Sequence, residues 1–291
     1  MLIPSAKIAG TNADIGLLGV PFDNAVIAGG GRGGAKGGPD AIRKALKCFG
    51  STYFIDLGID ISSLKIVDFG DIEVFEDVQK THKRVTNTVL EILEAGVFPI
   101  VLGGGHDISF GNIRALSKIG EVGGVNIDAH FDVRPVEDGI IKSGCPFWMA
   151  LESFCLDGKR FVELGMTGNC NLKEHYDYLI EKGSTIISLE NFRKQKSSDV
   201  SDNVLEIVGN NSFLSLDIDA VQQAFAPGCS APAPVGFTPD EIKNFIFDIS
   251  QSSSIRLFDI METNPLYDVD GRTSRLIASI LSYFFAGYSL R

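Results

Sequence analysis

Short apolar runs alternate along this chain with segments whose apolar positions repeat at the period of a helix. Residues 13–20, 52–57, 65–70, 97–102, 124–127, 160–164, 185–188, 212–216 and 255–260 read as strands. The run 97–102 (VFPIVL) is apolar without alternation, as expected of a strand covered on both faces. Helices are expected over 39–47, 76–95, 109–116, 146–153, 173–182, from Thr238 to about Ile249, and from Arg272 to about Tyr288. Val78, Val85, Val89, Ile92 and Leu93 share one face of the second, and Gly96 ends it. Pro39 suits a first helical turn, and Thr238-Pro239-Asp240-Glu241 has the form of a capping box. Strands and helices alternate with no low-complexity linker and no repeat. This predicts a single doubly wound α/β domain over residues 1–291, with a mostly parallel sheet. Such sheets present ligands at the carboxyl ends of their strands.

Composition narrows the partners. With 291 residues, 44% of them hydrophobic, the chain can bury a large core. A net charge of -11 argues against nucleic acid or an anionic membrane, both of which call for a basic face. The 5 cysteines (Cys48, Cys145, Cys155, Cys170, Cys229) are odd in number and lack C-x-x-C spacing, which suits free thiols in a reducing compartment. The amino-terminal residues show no long apolar stretch of a signal peptide. The run 276–290 is short for a membrane span and is broken by Ser279, Ser282 and Gly287. A soluble, cytoplasmic protein acting on small molecules is the expectation. The glycine-rich stretch 29–38 reads as a flexible surface loop. It contains no G-x-x-x-x-G-K-[ST] and no G-x-G-x-x-G that opens a helix directly after a strand.

Chemistry concentrates at strand ends. Asp128, His130 and Asp132 follow the run 124–127, and alternate side chains of an extended segment point the same way. Taken alone, the triplet fits an acidic turn as well as a metal site. His106 follows the strand 97–102, Asp217 and Asp219 end the strand 212–216, and Glu262 lies just past 255–260. In a parallel sheet these ends share one edge. The two imidazoles and four aspartates exceed what one tetrahedral zinc takes and suit two hard or borderline cations sharing bridging carboxylates.

With these residues assembled, the chain resembles the arginase/agmatinase/formimidoylglutamase superfamily of ureohydrolases. The resemblance rests on Gly104-Gly105-His106-Asp107, Asp128-Ala129-His130-Phe131-Asp132, Ser215-Leu216-Asp217-Ile218-Asp219 and Glu262-Thr263-Asn264-Pro265, and it covers nearly the whole chain. It implies a three-layer α/β/α sandwich, a homo-oligomer and two Mn(II) ions, with Fe or Co also accepted by such ligands. His106 and Asp132 would hold one ion, His130 and Asp219 the other, and Asp128 and Asp217 would bridge. Asp132-Val133-Arg134-Pro135, Ser143-Gly144-Cys145-Pro146-Phe147 and the segment 225–232 look most like formimidoylglutamase. Arginases and agmatinases carry an Asn-x-His segment where this chain has Ser143-Gly144-Cys145-Pro146, and Asp-Pro where it has Val221-Gln222. Cys145 departs from the threonine usual in formimidoylglutamases.

The implied reaction is hydrolysis of a linear amidine, N-formimidoyl-L-glutamate to L-glutamate and formamide, in histidine breakdown. The ions would acidify a water. Glu262 would bond the amidinium, and Asp132 would pass a proton to the leaving nitrogen. Arg134 would take a substrate carboxylate, with Ser143 and Gly144 as further contacts and Cys145 either lining the pocket or packed beside it. His82 reads as part of a solvated helix face and His175 as a surface residue. The alternatives are a ureohydrolase that releases urea from a guanidino acid, agmatine or arginine; a metal-binding homologue without activity; and, more remotely, a nucleotide-binding glycine loop.

Overall fold

In the computed structural model, which describes residues 2–4, 8, 10–168 and 170–291, the continuous apolar runs become neighbouring strands of one sheet. The strands are β1 (Leu2–Pro4), β2 (Ile15–Gly19), β3 (Tyr53–Phe54), β4 (Ile59–Asp60), β5 (Ile66–Asp71), β6 (Phe98–Leu102), β7 (Gly123–Ile127), β8 (Phe161–Met166), β9 (Thr185–Ser188), β10 (Ser212–Asp217) and β11 (Ile255–Met261). Nine of them form the sheet, in the order β1-β5-β2-β6-β11-β10-β7-β8-β9. Every pairing in it is parallel.

The alternation of side chains along these strands divides the apolar residues between two cores. Leu17, Ile100, Leu102, Leu214 and Leu216 point to one face, where the helices Gly38–Leu46, Ser197–Val208, Pro239–Ser250 and Arg272–Tyr288 cover them. Leu18, Val101, Phe213 and Leu257 point to the other, beneath Val78–Glu94, Ser109–Leu116, Pro146–Glu152 and Lys173–Lys182. The result is the expected α/β/α sandwich, with the sheet buried on both sides.

Two local expectations need correction. The run 52–57 is not a strand of the sheet: only Tyr53–Phe54 is extended, and it pairs antiparallel with Ile59–Asp60 in a separate ribbon. Tyr53 is 55% exposed and Ile55 89%, so this run lacks the two covered faces that a strand inside the sheet needs. Helices also form at Leu189–Arg193 and Ser197–Val208, where none was expected. The polar start of the second (Ser197-Ser198-Asp199) resembles a turn. Its buried stripe, Val200, Val204 and Val208, carries the helical period, and Ser197 Oγ donates to Asp248 at 2.7 Å.

The sheet order does the most for the site. The strands β6, β11, β10 and β7 are consecutive in space although they are spread along the chain. Leu102 lies opposite Ile260, Asp217 opposite Met261, and Ile127 opposite Leu216. The four strands therefore stop at nearly one level, and the residues that follow each are delivered to one place.

Candidate metal centre

His106 starts a short helical turn after Gly103-Gly104-Gly105. These glycines are required by close approach: a Cβ on Gly104 would lie 1.8 Å from the Phe22 carbonyl oxygen, and one on Gly103 1.9 Å from Met261 Sδ. The fully buried His106 ring then turns Nδ1 toward three carboxylates, Asp132 at 3.1 Å and Asp128 and Asp217 at 3.2 Å each. That nitrogen has no hydrogen-bond partner among the described residues. The second imidazole sits alongside. His130 Nδ1 lies 3.1 Å from Asp219 and 3.5 Å from Asp128. Two sets of candidate ligands result, His106/Asp128/Asp132/Asp217 and Asp128/His130/Asp219, with Asp128 common to both.

The cluster is arranged by its own backbone. Asp128 accepts from His130 N at 2.7 Å, and Asp217 from Asp219 N at 2.8 Å, so the spacing of each motif closes a tight turn. Asp132 (φ 46) and Glu262 (φ 63) both occupy the left-handed region, a costly conformation for residues with a Cβ that concentrates at functional sites.

The buried groups shift one another's ionisation. Burial lowers the pKa of His106, and the adjacent carboxylates of Asp128, Asp132 and Asp217 outweigh this and hold it well above its ordinary value. Burial, followed by the charge of Asp219, pushes Asp217 up, and burial with the charge of Asp128 pushes Asp219 up to about 7. Burial likewise carries Glu262 up to about 8. One Glu262 oxygen accepts from His106 N at 2.9 Å, while the other, Oε2, has no hydrogen-bond partner among the described residues.

Further buried polar groups support this first layer. Ser215 Oγ is 2.5 Å from Asp259 Oδ1, to which it donates its one proton, so it accepts from His106 Nε2 at 3.0 Å. Asn112 donates to the other Asp259 oxygen at 2.8 Å. Asn171 clamps the loop between the ligands, accepting from Phe131 N and donating to Ala129 O, both at 2.8 Å. Asn126 donates to Glu163 at 2.9 Å, and burial, then the charge of Asp128, raises that carboxyl well above its usual range. None of these was assigned a role from sequence. Asp259 and Glu163 had left a signal, since each is an acidic residue inside an otherwise apolar strand. The expected solvated His82 is instead 1% exposed, with Nε2 2.7 Å from Asp107. Its helix is covered on that side by Ser109–Leu116, and the partner carboxylate satisfies the imidazole there.

The cluster forms the floor of a cavity of about 300 Å³ that is also lined by Arg32, Arg134, Lys142, Ser143, Gly144 and Ser230. Arg134 lies against Gly144, where a Cβ would come within 3.1 Å of its Cδ. Cys145 stands behind this wall. It is fully buried and is not among the lining residues, and burial raises its thiol pKa. His175 is partly buried and lies outside the cavity wall, 3.9 Å from Glu174. The glycine stretch is a wall of the cavity and not a free loop. Asp23 accepts from Gly34 N at 2.7 Å, and Asn264 donates to the carbonyls of Arg32 and Gly33 at 3.0 and 3.1 Å.

Comparison with known proteins agrees with this geometry. The model of the arginase family matches residues 13–287. Formimidoylglutamase of Halalkalibacterium halodurans is 31% identical over 95% of this chain and 88% of its own length. The structure of Trypanosoma cruzi formiminoglutamase with Mn2+ superposes with a TM-score of 0.92 at 35% identity, covering 96% of this chain and 95% of that one. Proclavaminate amidino hydrolase of Streptomyces clavuligerus superposes with a TM-score of 0.86 at 29% identity, over 96% and 92% of the two chains. A parallel sheet that gathers two histidines and four aspartates at adjacent strand ends, and a family match over almost its whole length, lead to one conclusion: this chain belongs to the arginase family of hydrolases.

Proposed function

We propose that this hydrolase cleaves the C–N bond of a linear amidine borne on an acidic amino acid, turning N-formimidoyl-L-glutamate and water into L-glutamate and formamide, as a step in histidine breakdown. The observation that carries the reading is the polarity of the cavity. Its floor is a carboxylate and imidazole cluster beside the unpartnered Glu262 Oε2, and its rim holds the exposed Arg134. A cationic amidinium fits the floor, and an anionic tail fits the rim. The names of the similar proteins support the same substrate class. The reading takes residues 1–291 as one domain.

The donor set suits two Mn(II) ions. His106 Nδ1 lies amid three carboxylates with no hydrogen-bond partner, and the ligand atoms are oxygens and imidazole nitrogens. His106 and Asp132 would hold one ion, His130 and Asp219 the other, with Asp128 and Asp217 shared. When bound, such a pair supplies a water acidified enough to act as nucleophile near neutral pH. The protein's own groups do the rest. Glu262 Oε2 accepts from the amidinium N–H groups and fixes the amidine carbon above the cluster. Asp132 takes the proton from the attacking water and delivers it to the glutamate nitrogen as the C–N bond breaks, giving a neutral amine leaving group. Arg134 holds a carboxylate through its planar fork.

The competing reading is release of urea from a guanidino substrate, favoured by the likeness to an amidino hydrolase. Turnover of a panel of amidines and guanidines by Mn-loaded protein separates the two by product, formamide or urea. Metal bound without turnover on any of them would support a homologue that lacks activity.

A further inference from the structure

The rim of the cavity carries three cations, and they are not equivalent. Arg32 is committed to the fold: its Nε donates to Ser230 O at 3.2 Å, its Nη2 to Cys229 O at 2.6 Å, and its guanidinium lies 4.0 Å from the centre of the Tyr267 ring. It fastens the glycine stretch to the segment after β10. Arg134 and Lys142 remain. They stand on opposite arms of one excursion of the chain, closed at its base by Arg134 N donating to Gly144 O at 2.8 Å and near its tip by the antiparallel bridge between Glu137 and Ile140. Both side chains line the cavity.

Lys142 is engaged only by an exposed carboxylate. Its side chain is 30% exposed, and its Cβ rests close to Gly29, so the stem packs along the start of the glycine stretch. Its ammonium pairs with Glu137 Oε2 at 3.4 Å, but that carboxylate is 69% exposed. An exposed pair of this length holds weakly and yields to a better-placed carboxylate. The ion pairs of the described residues leave Arg134 without a carboxylate partner.

We propose that Lys142 is the second carboxylate anchor of the cavity, so that Arg134 and Lys142 together select an amidine bearing two carboxylates over one bearing a single carboxylate. This deepens the function proposed above and rests on it. The charges then match in pairs: Glu262 with the amidinium, and each rim cation with one carboxylate. A lysine suits the second place because an ammonium on a flexible stem follows a mobile side-chain carboxylate, whereas the planar fork of Arg134 fixes orientation.

The test measures formamide release by the Mn-loaded wild type, Lys142→Ala, Lys142→Arg and Arg134→Ala on three substrates. These are N-formimidoyl-L-glutamate, N-formimidoyl-4-aminobutanoate, which lacks the α-carboxylate, and N-formimidoyl-L-2-aminobutanoate, which lacks the side-chain carboxylate. Lys142→Ala should raise KM for the dicarboxylate about 10- to 100-fold, the worth of one charge-assisted hydrogen bond, with kcat within about twofold. On one of the two monocarboxylates Lys142→Ala should have no effect on kcat/KM, and Arg134→Ala should spare the other. Lys142→Arg should keep most of the affinity. The melting temperature of each variant confirms that it is folded. A folded Lys142→Ala with unchanged KM for the dicarboxylate, or one equally impaired on all three substrates, overturns the anchor while leaving the reaction intact. If the wild type releases formamide from none of them, the parent reading fails, and the anchor fails with it.

Discussion

Asp259 reaches the candidate metal-binding cluster through Ser215. That link obliges His106 to donate from Nε2, which leaves Nδ1 facing Asp128, Asp132 and Asp217. Outer partners of ligating histidines set tautomer and orientation, and their loss weakens metal binding about 10- to 100-fold. Ser215→Ala should therefore lose metal to a chelator at about 10- to 100-fold lower competitor concentration, read by metal analysis after dialysis, while Ser215→Thr retains it. Equal retention in both variants would remove the tautomer argument. Gly144→Ala is expected to act on substrate alone. Its Cβ would meet Arg134 Cδ at 3.1 Å and tilt the guanidinium, so KM for the glutamate amidine should rise several-fold at nearly constant kcat. Steady-state kinetics decide it, and a change confined to kcat would contradict the placement of Arg134. At this scale the convergence of the candidate ligands was legible, because alternation at a strand end projects them together. Ser215 was seen only as the first residue of the motif Ser215-Leu216-Asp217-Ile218-Asp219. Asn112 and Asn171 were invisible, since a single amide in a helix or loop has no pattern to betray which distant backbone or carboxylate it meets.

Single elements are held by devices of very different legibility. The helix Pro239–Ser250 begins at a capping box in which Thr238 and Glu241 each bond the other's backbone, as its four-residue signature foretold. Arg193 from the short helix Leu189–Arg193 joins it, donating to both Glu241 oxygens at 2.8 and 3.0 Å. Thr238→Ala should cost about 1 kcal/mol in urea unfolding. The Arg193 hydrogen bond, more than any other contact, holds the Glu241 carboxyl below its ordinary 4.5. A carboxyl lowered by folding contributes stability above its unfolded pKa, and that contribution fades as pH falls through the folded value. The stability difference between wild type and Glu241→Gln should accordingly be flat from about pH 8 to about pH 5 and shrink on further acidification. A difference that grew in acid would reverse the assigned sign. Arg193 itself was not placed from sequence. Its helix is one turn and a fraction long, too short to show a periodicity, and only the tertiary partner makes it visible.

For the molecule as a whole, strand order explains why one site forms. Residues from four separate segments meet because β6, β11, β10 and β7 are neighbours in the sheet, although two other strands lie between β7 and β10 in sequence. The alternation of strand and helix was enough to predict a parallel sheet with the candidate ligands at one edge. It could not give the order, which depends on which helices cover which face, as the two separate cores record. Because the cluster ties four strands together, metal should stabilise the whole chain. At about 100 times the dissociation constant, each bound ion adds about 2.7 kcal/mol. Chelation should lower the melting temperature by about 4–5 °C for each such ion, measured by calorimetry. An unchanged melting temperature would mean that the cluster holds no ion.

The polarity of the cavity, cation-seeking at its floor and anion-seeking at its rim, is the basis for the assigned reaction, and product analysis tests it most directly. Protein reconstituted with Mn(II) is incubated in parallel with N-formimidoyl-L-glutamate, agmatine, arginine and a guanidino acid, and formamide and urea are quantified. The account predicts formamide and L-glutamate from the first substrate and no urea from the others. Urea from any guanidino substrate, with N-formimidoyl-L-glutamate left intact, would contradict it.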